Sequence, residues 1–242
     1  MMLGHLDEAV ARSDEALLVA RQQTNRPYHL AIALNNRVGV DRLRAGYQAV
    51  HERAVELAAV SAEHALPLFA SSASLYLAER SARGETADGL ARARQAYSAL
   101  AATVSIGLTQ HLLGLASCCE RAGEVDQALE LLDTALERVN ATDERFCEAE
   151  LHRLKGEWVV AYRRARLADA EDCFQRALAV ARQQQAKFWE LRAATSMARL
   201  WRNQGKRDQA RDLLAPVYGW FTEGFDTLDL KEAKALLDEL AS

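Results

Sequence analysis

Isoleucine and proline are scarce in this chain, with two isoleucines and three prolines among 242 residues. Aromatic residues make up only 7%. Strands draw on β-branched and aromatic side chains, so these shortages argue against a sheet-based fold, including the α/β nucleotide-binding folds. No stretch of about 18 residues runs apolar without charge, which argues against a transmembrane helix. The start, Met1 to Glu8, has no basic segment leading into an apolar one, so no secretory signal is read. A formal net charge of -4 removes the basic footprint of a nucleic-acid binder. The four cysteines, Cys118, Cys119, Cys147 and Cys173, form no CxxC pair, and neighbours 118 and 119 point to different sides of one helix. They read as buried small hydrophobes rather than zinc ligands or redox groups. A cytoplasmic protein without membrane or nucleic-acid partners fits all of this.

What the chain has instead is 46 alanines and 35 leucines. These are the strongest apolar helix formers, and they predict an all-α protein. One pattern recurs along the sequence. An apolar helix meets a Gly turn, then comes Ala five residues on, a larger residue four later and Ala three after that. The clearest copy is Thr109 to Ala135, with Leu112, Leu115, Ala116 and Cys119, then Gly123, then Ala128, Leu132 and Ala135. A second runs from Leu191 to Val217, with Ala194, Met197, Ala198 and Trp201, then Gly205, then Ala210, Leu214 and Val217. Weaker copies have Gly84 before Gly89, Ala93 and Ala96, and Gly46 before His51, Val55 and Ala58. Ala170, Phe174 and Ala177 form another second helix, with Ala165 in the turn. Gly4, Ala9, Ser13 and Ala16 read as a second helix without its first. The turn positions 4, 46, 84, 123, 165 and 205 therefore recur about every 40 residues.

Small residues at 128 and 135, or at 170 and 177, let two antiparallel helices approach closely. The larger residue between them fills the space against the next pair. One hairpin covers only part of its apolar surface, so neighbours must stack. The predicted architecture is a right-handed α-solenoid over residues 1–242. It comprises a half-repeat at 1–25, helix pairs at about 28–64, 66–103, 107–140, 143–185 and 187–221, and a C-terminal capping helix at about 227–241.

Helix pairs with this small–large–small signature resemble tetratricopeptide repeats, in a variant nearer 40 residues than 34. The stretches Glu148 to Glu157, Arg182 to Lys187, Leu191 to Trp201 and Leu213 to Thr227 resemble the C-terminal helical-repeat region of large bacterial signalling proteins. In those proteins a class III adenylate/guanylate cyclase or a DNA-binding domain precedes an AAA-type ATPase and then the repeats. The resemblance implies a regulatory role without catalysis in the repeats themselves. Neither catalytic part is found here. No GxxxxGK[ST] occurs, since Gly205-Lys206 has Leu200 and Arg207 where Gly and Ser or Thr are required. The opening half-repeat suggests a chain that starts inside a longer solenoid.

No residue is singled out as catalytic, cofactor-binding or metal-ligating. The six histidines show no HExxH or paired ligand spacing, and no GxSxG elbow appears. The candidate binding surface is the concave face, which the first helix of each pair lines in such repeats. In that register the inward residues are Arg192, Thr195, Arg199 and Arg202 in the last pair, Arg153 and Glu157 in the one before, and Asn36 and Arg44 near the start. Arg192 and Arg199 are seven apart and share a helix face. Their planar donor forks suit the carboxylates of an acidic or amphipathic peptide.

Two end features complete the reading. Asp226 or Thr227 would cap the final helix, with Phe225 and Leu230 as a hydrophobic staple if Asp226 is the cap. The first helix, 6–23, carries Leu6, Val10, Leu17 and Val19 with no helix before it. An uncovered apolar end is a self-association surface, which Val10→Glu or Leu17→Glu would abolish. The function read from the sequence is a non-enzymatic protein- or peptide-binding scaffold, the sensory or regulatory repeat region of a bacterial signalling protein. The alternatives are a regulatory fragment of a multidomain cyclase/ATPase or transcriptional regulator, and a receptor for a peptide or small molecule.

Overall fold

A computed structural model of the chain describes residues 4–23, 25–44, 47–81, 86–105 and 107–241. Among these residues there are twelve α-helices, two single-turn 3-10 helices (Arg145–Cys147 and Arg164–Arg166) and no strand. The α-helices are α1 (Leu6–Gln22), α2 (Pro27–Leu43), α3 (Tyr47–Glu63), α4 (Pro67–Ser81), α5 (Thr86–Ala101), α6 (Leu108–Arg121), α7 (Val125–Thr142), α8 (Glu148–Tyr162), α9 (Leu167–Gln183), α10 (Lys187–Asn203), α11 (Arg207–Tyr218) and α12 (Leu228–Ala241). The chain forms two compact units, Glu8–Glu144, and Met1–Asp7 with Arg145–Ser242.

Within each unit the helices pack as hairpins: α2 with α3, α4 with α5 and α6 with α7, then α8 with α9 and α10 with α11. First helices also touch one another in series, α2 with α4 and α4 with α6 in the first unit, α8 with α10 and α10 with α12 in the second. No comparable contact joins α3 to α5, α5 to α7 or α9 to α11 among the described residues. The first helices therefore form the tighter, inner side of each unit.

The repeat signature sits where the sequence places it in most copies. Ala128, Leu132 and Ala135 of α7, Ala170, Phe174 and Ala177 of α9, and Ala210, Leu214 and Val217 of α11 are all buried. Two helices differ by one residue in register. In α3 the buried row is Val50, Ala54, Leu57 and Ser61, while Val55 is exposed. In α1 it is Leu6, Leu17 and Ala20, while Ala16 is exposed. Both rows keep the spacing of one helix face.

The turns explain the glycine positions. Gly123 (φ 84°) and Gly205 (φ 78°) adopt the left-handed conformation just past α6 and α10. After each, the next N–H reaches back five residues, from Glu124 to the Cys119 carbonyl and from Lys206 to the Trp201 carbonyl, both at 2.9 Å. This is the Schellman closure, for which a residue without Cβ is favoured. Ala165 stands in the 3-10 turn Arg164–Arg166 and needs no such conformation. The expected turn glycines Gly46 and Gly84 lie outside the described residues.

α6 starts at Gly107, which has no side chain to cap the helix. The cap comes from Glu144, whose carboxylate accepts from the Gly107 N–H (2.8 Å), the Thr109 N–H (3.4 Å) and the Thr109 hydroxyl (2.7 Å). Burial pushes the Glu144 carboxyl up, but these hydrogen bonds outweigh it and hold it below its ordinary value. A lowered carboxylate stabilises the fold above the unfolded value of about 4.3 and loses that effect as pH falls through the folded one. Glu144→Ala is expected to cost about 1–2 kcal/mol at neutral pH and less in acid. Urea midpoints at the two pH values measure this, and equal losses at both would remove the capping role.

Candidate binding surface on the first helices

The residues expected on the inner face are placed unequally. In the first unit Asn36 is exposed on α2, and its neighbour Asn35 is the inward one. Asn35 accepts a hydrogen bond from the Tyr76 hydroxyl of α4 at 3.2 Å. Arg44 caps the end of α2, its backbone N–H donating to the Val40 carbonyl. Two residues earlier, Arg42 lays its guanidinium over the Tyr76 ring, 5.6 Å from the centroid.

The same face carries His111, one of the six histidines without metal-ligand spacing. His111 Nδ1 lies 2.8 Å from the Gly107 carbonyl and Nε2 lies 3.2 Å from the Ser72 hydroxyl. A carbonyl can only accept, so in the neutral ring Nδ1 holds the proton and Nε2 faces Ser72 as an acceptor. Burial keeps His111 below the ordinary imidazole value, which favours that neutral form. The pair has the spacing of a nucleophile and its base. Ser72 sits in mid-helix at 3% exposure, and its one hydroxyl proton is shared between the Leu68 carbonyl, also at 3.2 Å, and His111 Nε2. The arrangement therefore serves interhelix packing.

In the second unit the predicted arginines converge on an ion network. Arg153 of α8 reaches Glu150 at 2.7 Å and Glu157 at 2.5 Å on its own helix, and the Ser196 hydroxyl of α10 at 3.3 Å. Arg192 of α10 bridges Glu150 at 2.8 Å to Asp229 of α12 at 2.8 Å. Its guanidinium also lies over Phe188 and Trp189, at 5.5 and 5.4 Å from the centroids. Burial alone would raise the Glu150 carboxyl, yet the two guanidiniums outweigh it and hold it low. For Asp229 burial wins over Arg192, and its carboxyl is raised. Thr195 is buried and donates to the Leu191 carbonyl, so it presents nothing to a ligand.

Two further pairs extend the row, Arg199 to Glu232 at 2.5 Å and Arg202 to Glu239 at 2.7 Å. The arginines at 192, 199 and 202 thus meet carboxylates at 229, 232 and 239 in the same chain direction, which sets α10 and α12 parallel. Beneath the row, Leu230, Ala233, Leu236 and Leu240 of α12 are buried. Thr227 caps this helix, its hydroxyl accepting from the Leu230 N–H at 3.4 Å. Phe225 is exposed and rests edge-on against Tyr218, so it does not staple Leu230.

Leu6, expected to be uncovered, is buried against the Gly224 turn. There the Gly224 N–H donates to the Asp7 carboxylate at 3.1 Å and the Asp7 N–H donates to Glu223 at 3.2 Å. Leu17 is buried too, whereas Leu18 and Val19 are exposed. Among the described residues no group of three or more His, Cys, Asp or Glu side chains could hold a metal ion. No helix among them is long and apolar enough to cross a membrane.

Comparison with known proteins gives the fold. The tetratricopeptide repeat family model matches residues 107–183. The chain is similar in structure to BtubC (BKLC) from P. vanneervenii, with a TM-score of 0.60, 16% identity and coverage of 91% of this chain and 95% of that one. It is also similar to a Podosopora anserina putative kinesin light chain with nearly identical TPR-like repeats, at a TM-score of 0.54 and 17% identity, covering 72% of this chain and 94% of that one. A search of curated protein sequences finds no match. The fold is accordingly an all-α, tetratricopeptide-like repeat architecture.

Proposed function

We propose that this protein is a non-enzymatic scaffold whose inner, first-helix face takes an acidic amphipathic helix of a partner protein. The observation that carries this is α12. It lies on α10 with its apolar side buried and its carboxylates on the Arg192, Arg199 and Arg202 row. The chain thereby supplies one example of the ligand class that this face fits, held in cis. Grooves that accept an amphipathic helix read it through such regularly spaced anchors. A sensory or regulatory role in a cytoplasmic bacterial signalling protein is the finer reading. It rests on the sequence resemblance to cyclase–ATPase proteins. If the chain works with such catalytic or DNA-binding parts, the same face would relay partner binding to them. For self-association through α1, the exposed Val19 and its neighbour Leu18 take the place of the buried Leu6 and Leu17.

The test uses a labelled peptide of residues 225–242 added in trans and followed by fluorescence anisotropy. The intact chain should bind it weakly, because its own α12 competes. A Glu232→Lys/Glu239→Lys chain replaces two attractive pairs with repulsion and should bind the peptide on the order of tenfold more tightly. A peptide with both glutamates changed to lysine should bind neither chain. Equal binding of the two peptides would overturn the reading.

A further inference from the structure

We infer that the second unit also binds a small aromatic carboxylate, in a pocket separate from the first-helix face. The pocket has a volume of about 430 Å³ and is lined by His5, Arg182, Gln185, Lys187 and Trp220. That volume suits one small molecule. Its walls come from the end of α9, the start of α10 and the turn that follows α11. The N-terminal segment completes it. Gly4, at φ 101°, lets the backbone pass flat against Trp220, where a Cβ would come within 2.4 Å of the indole. The His5 ring then lies 5.6 Å from that of Trp220.

The charges are unequal. Arg182 Nε and Lys187 Nζ both donate to Glu190, at 2.9 and 2.7 Å. The Glu190 side chain is only 6% exposed, behind the two cations. One carboxylate against two cations leaves a single positive charge facing the pocket. The Arg182 side chain is 53% exposed and uses only Nε toward Glu190. Its Nη groups make no ion pair among the described residues, and that edge is the fork that fits a carboxylate. Trp220, 39% exposed, supplies a flat apolar platform that Lys187 also overlies at 5.8 Å from the centroid. One negative charge and one ring system match this set. None of the residues lining the pocket comes from α12.

The experiment titrates the full chain with 1-naphthoate by calorimetry at neutral pH, beside naphthalene-1-carboxamide and acetate. Naphthoate should bind one per chain and at least about tenfold more tightly than either control, the step expected when a charge-assisted hydrogen bond or the ring platform is removed. Arg182→Gln, which keeps Lys187 on Glu190, and Trp220→Leu should each weaken it by about tenfold. If either variant unfolds, Gln185→Glu serves instead, because it adds a repelling carboxylate at the rim and leaves the Glu190 pairs intact. A pentapeptide ending in tryptophan carries the same two groups. Its binding as tightly as naphthoate would name a chain terminus as the source, and weaker binding would name a free acid. Equal affinity for naphthoate and its carboxamide, or unchanged affinity in the folded variants, would overturn the inference.

Discussion

Arg153→Met is expected to lower stability by about 3–5 kcal/mol, the range for removing one member of a buried ion network. Arg153 is enclosed by Glu150, Glu157 and Ser196. Glu150, itself buried, would be left with Arg192 alone. Arg199→Met provides the contrast. That pair with Glu232 is about two-fifths exposed on both sides, and pairs of that kind contribute at most about 1 kcal/mol. Removing charge from both members of the buried pair, as in Glu150→Gln/Arg153→Met, should cost less than Arg153→Met alone, because the buried Glu150 charge goes with its partner, while the more exposed Glu157 loses Arg153 in both variants. The pH dependence has a definite sign. Glu150 is held low, so its contribution is complete above about 4.3 and fades as pH falls. Asp229 is raised by burial, and its Oδ2 has no hydrogen-bond partner. Protonating Asp229 is easier in the folded state, so it partly offsets that acid loss. Urea midpoints of the three variants decide the matter. An Arg153→Met loss no larger than that of Arg199→Met would mean that the network is not held out of water.

The sequence makes the helix hairpins readable because each signature residue is both small or large and correctly spaced on its own helix. In α9, Ala170, Phe174 and Ala177 leave one choice of face. In α3 they do not, since Val50, Ala54 and Leu57 compete with Val55 and Ala58 one residue over. Only packing against α2 and α4 chooses between the stripes. The arginine row was visible from spacing alone, but its partners were not. Asp229, Glu232 and Glu239 lie 33 to 37 residues further on, and their alignment depends on α12 lying parallel to α10. On α2 it is Asn35 that meets Tyr76 while Asn36 is exposed, a one-residue difference like that in α3. The pocket joins residue 5 to residue 220, and nothing local in either segment signals the other.

Gly156 and Phe174 should be strongly coupled across the contact between α8 and α9. Phe174, 1% exposed, lies between Ala170 and Ala177, and its ring faces Gly156. A Cβ at Gly156 would stand 2.6 Å from the Phe174 Cε1 and 2.8 Å from Cδ1, closer than real contacts allow. Gly156→Ala should therefore cost about 1–3 kcal/mol, although alanine is the better helix former by about 1 kcal/mol. Phe174→Ala should cost about 3–5 kcal/mol through lost burial and the cavity left behind. Made in the Phe174→Ala background, Gly156→Ala should reverse sign and stabilise by about 1 kcal/mol, because the ring is gone and the helix preference remains. The coupling energy is then about 2 kcal/mol or more, within the range for residues in direct contact. Thermal or urea unfolding of the four proteins measures it. Additive effects would mean that Gly156 does not set the approach of the two helices, and the small–large–small signature would lose its meaning in this hairpin.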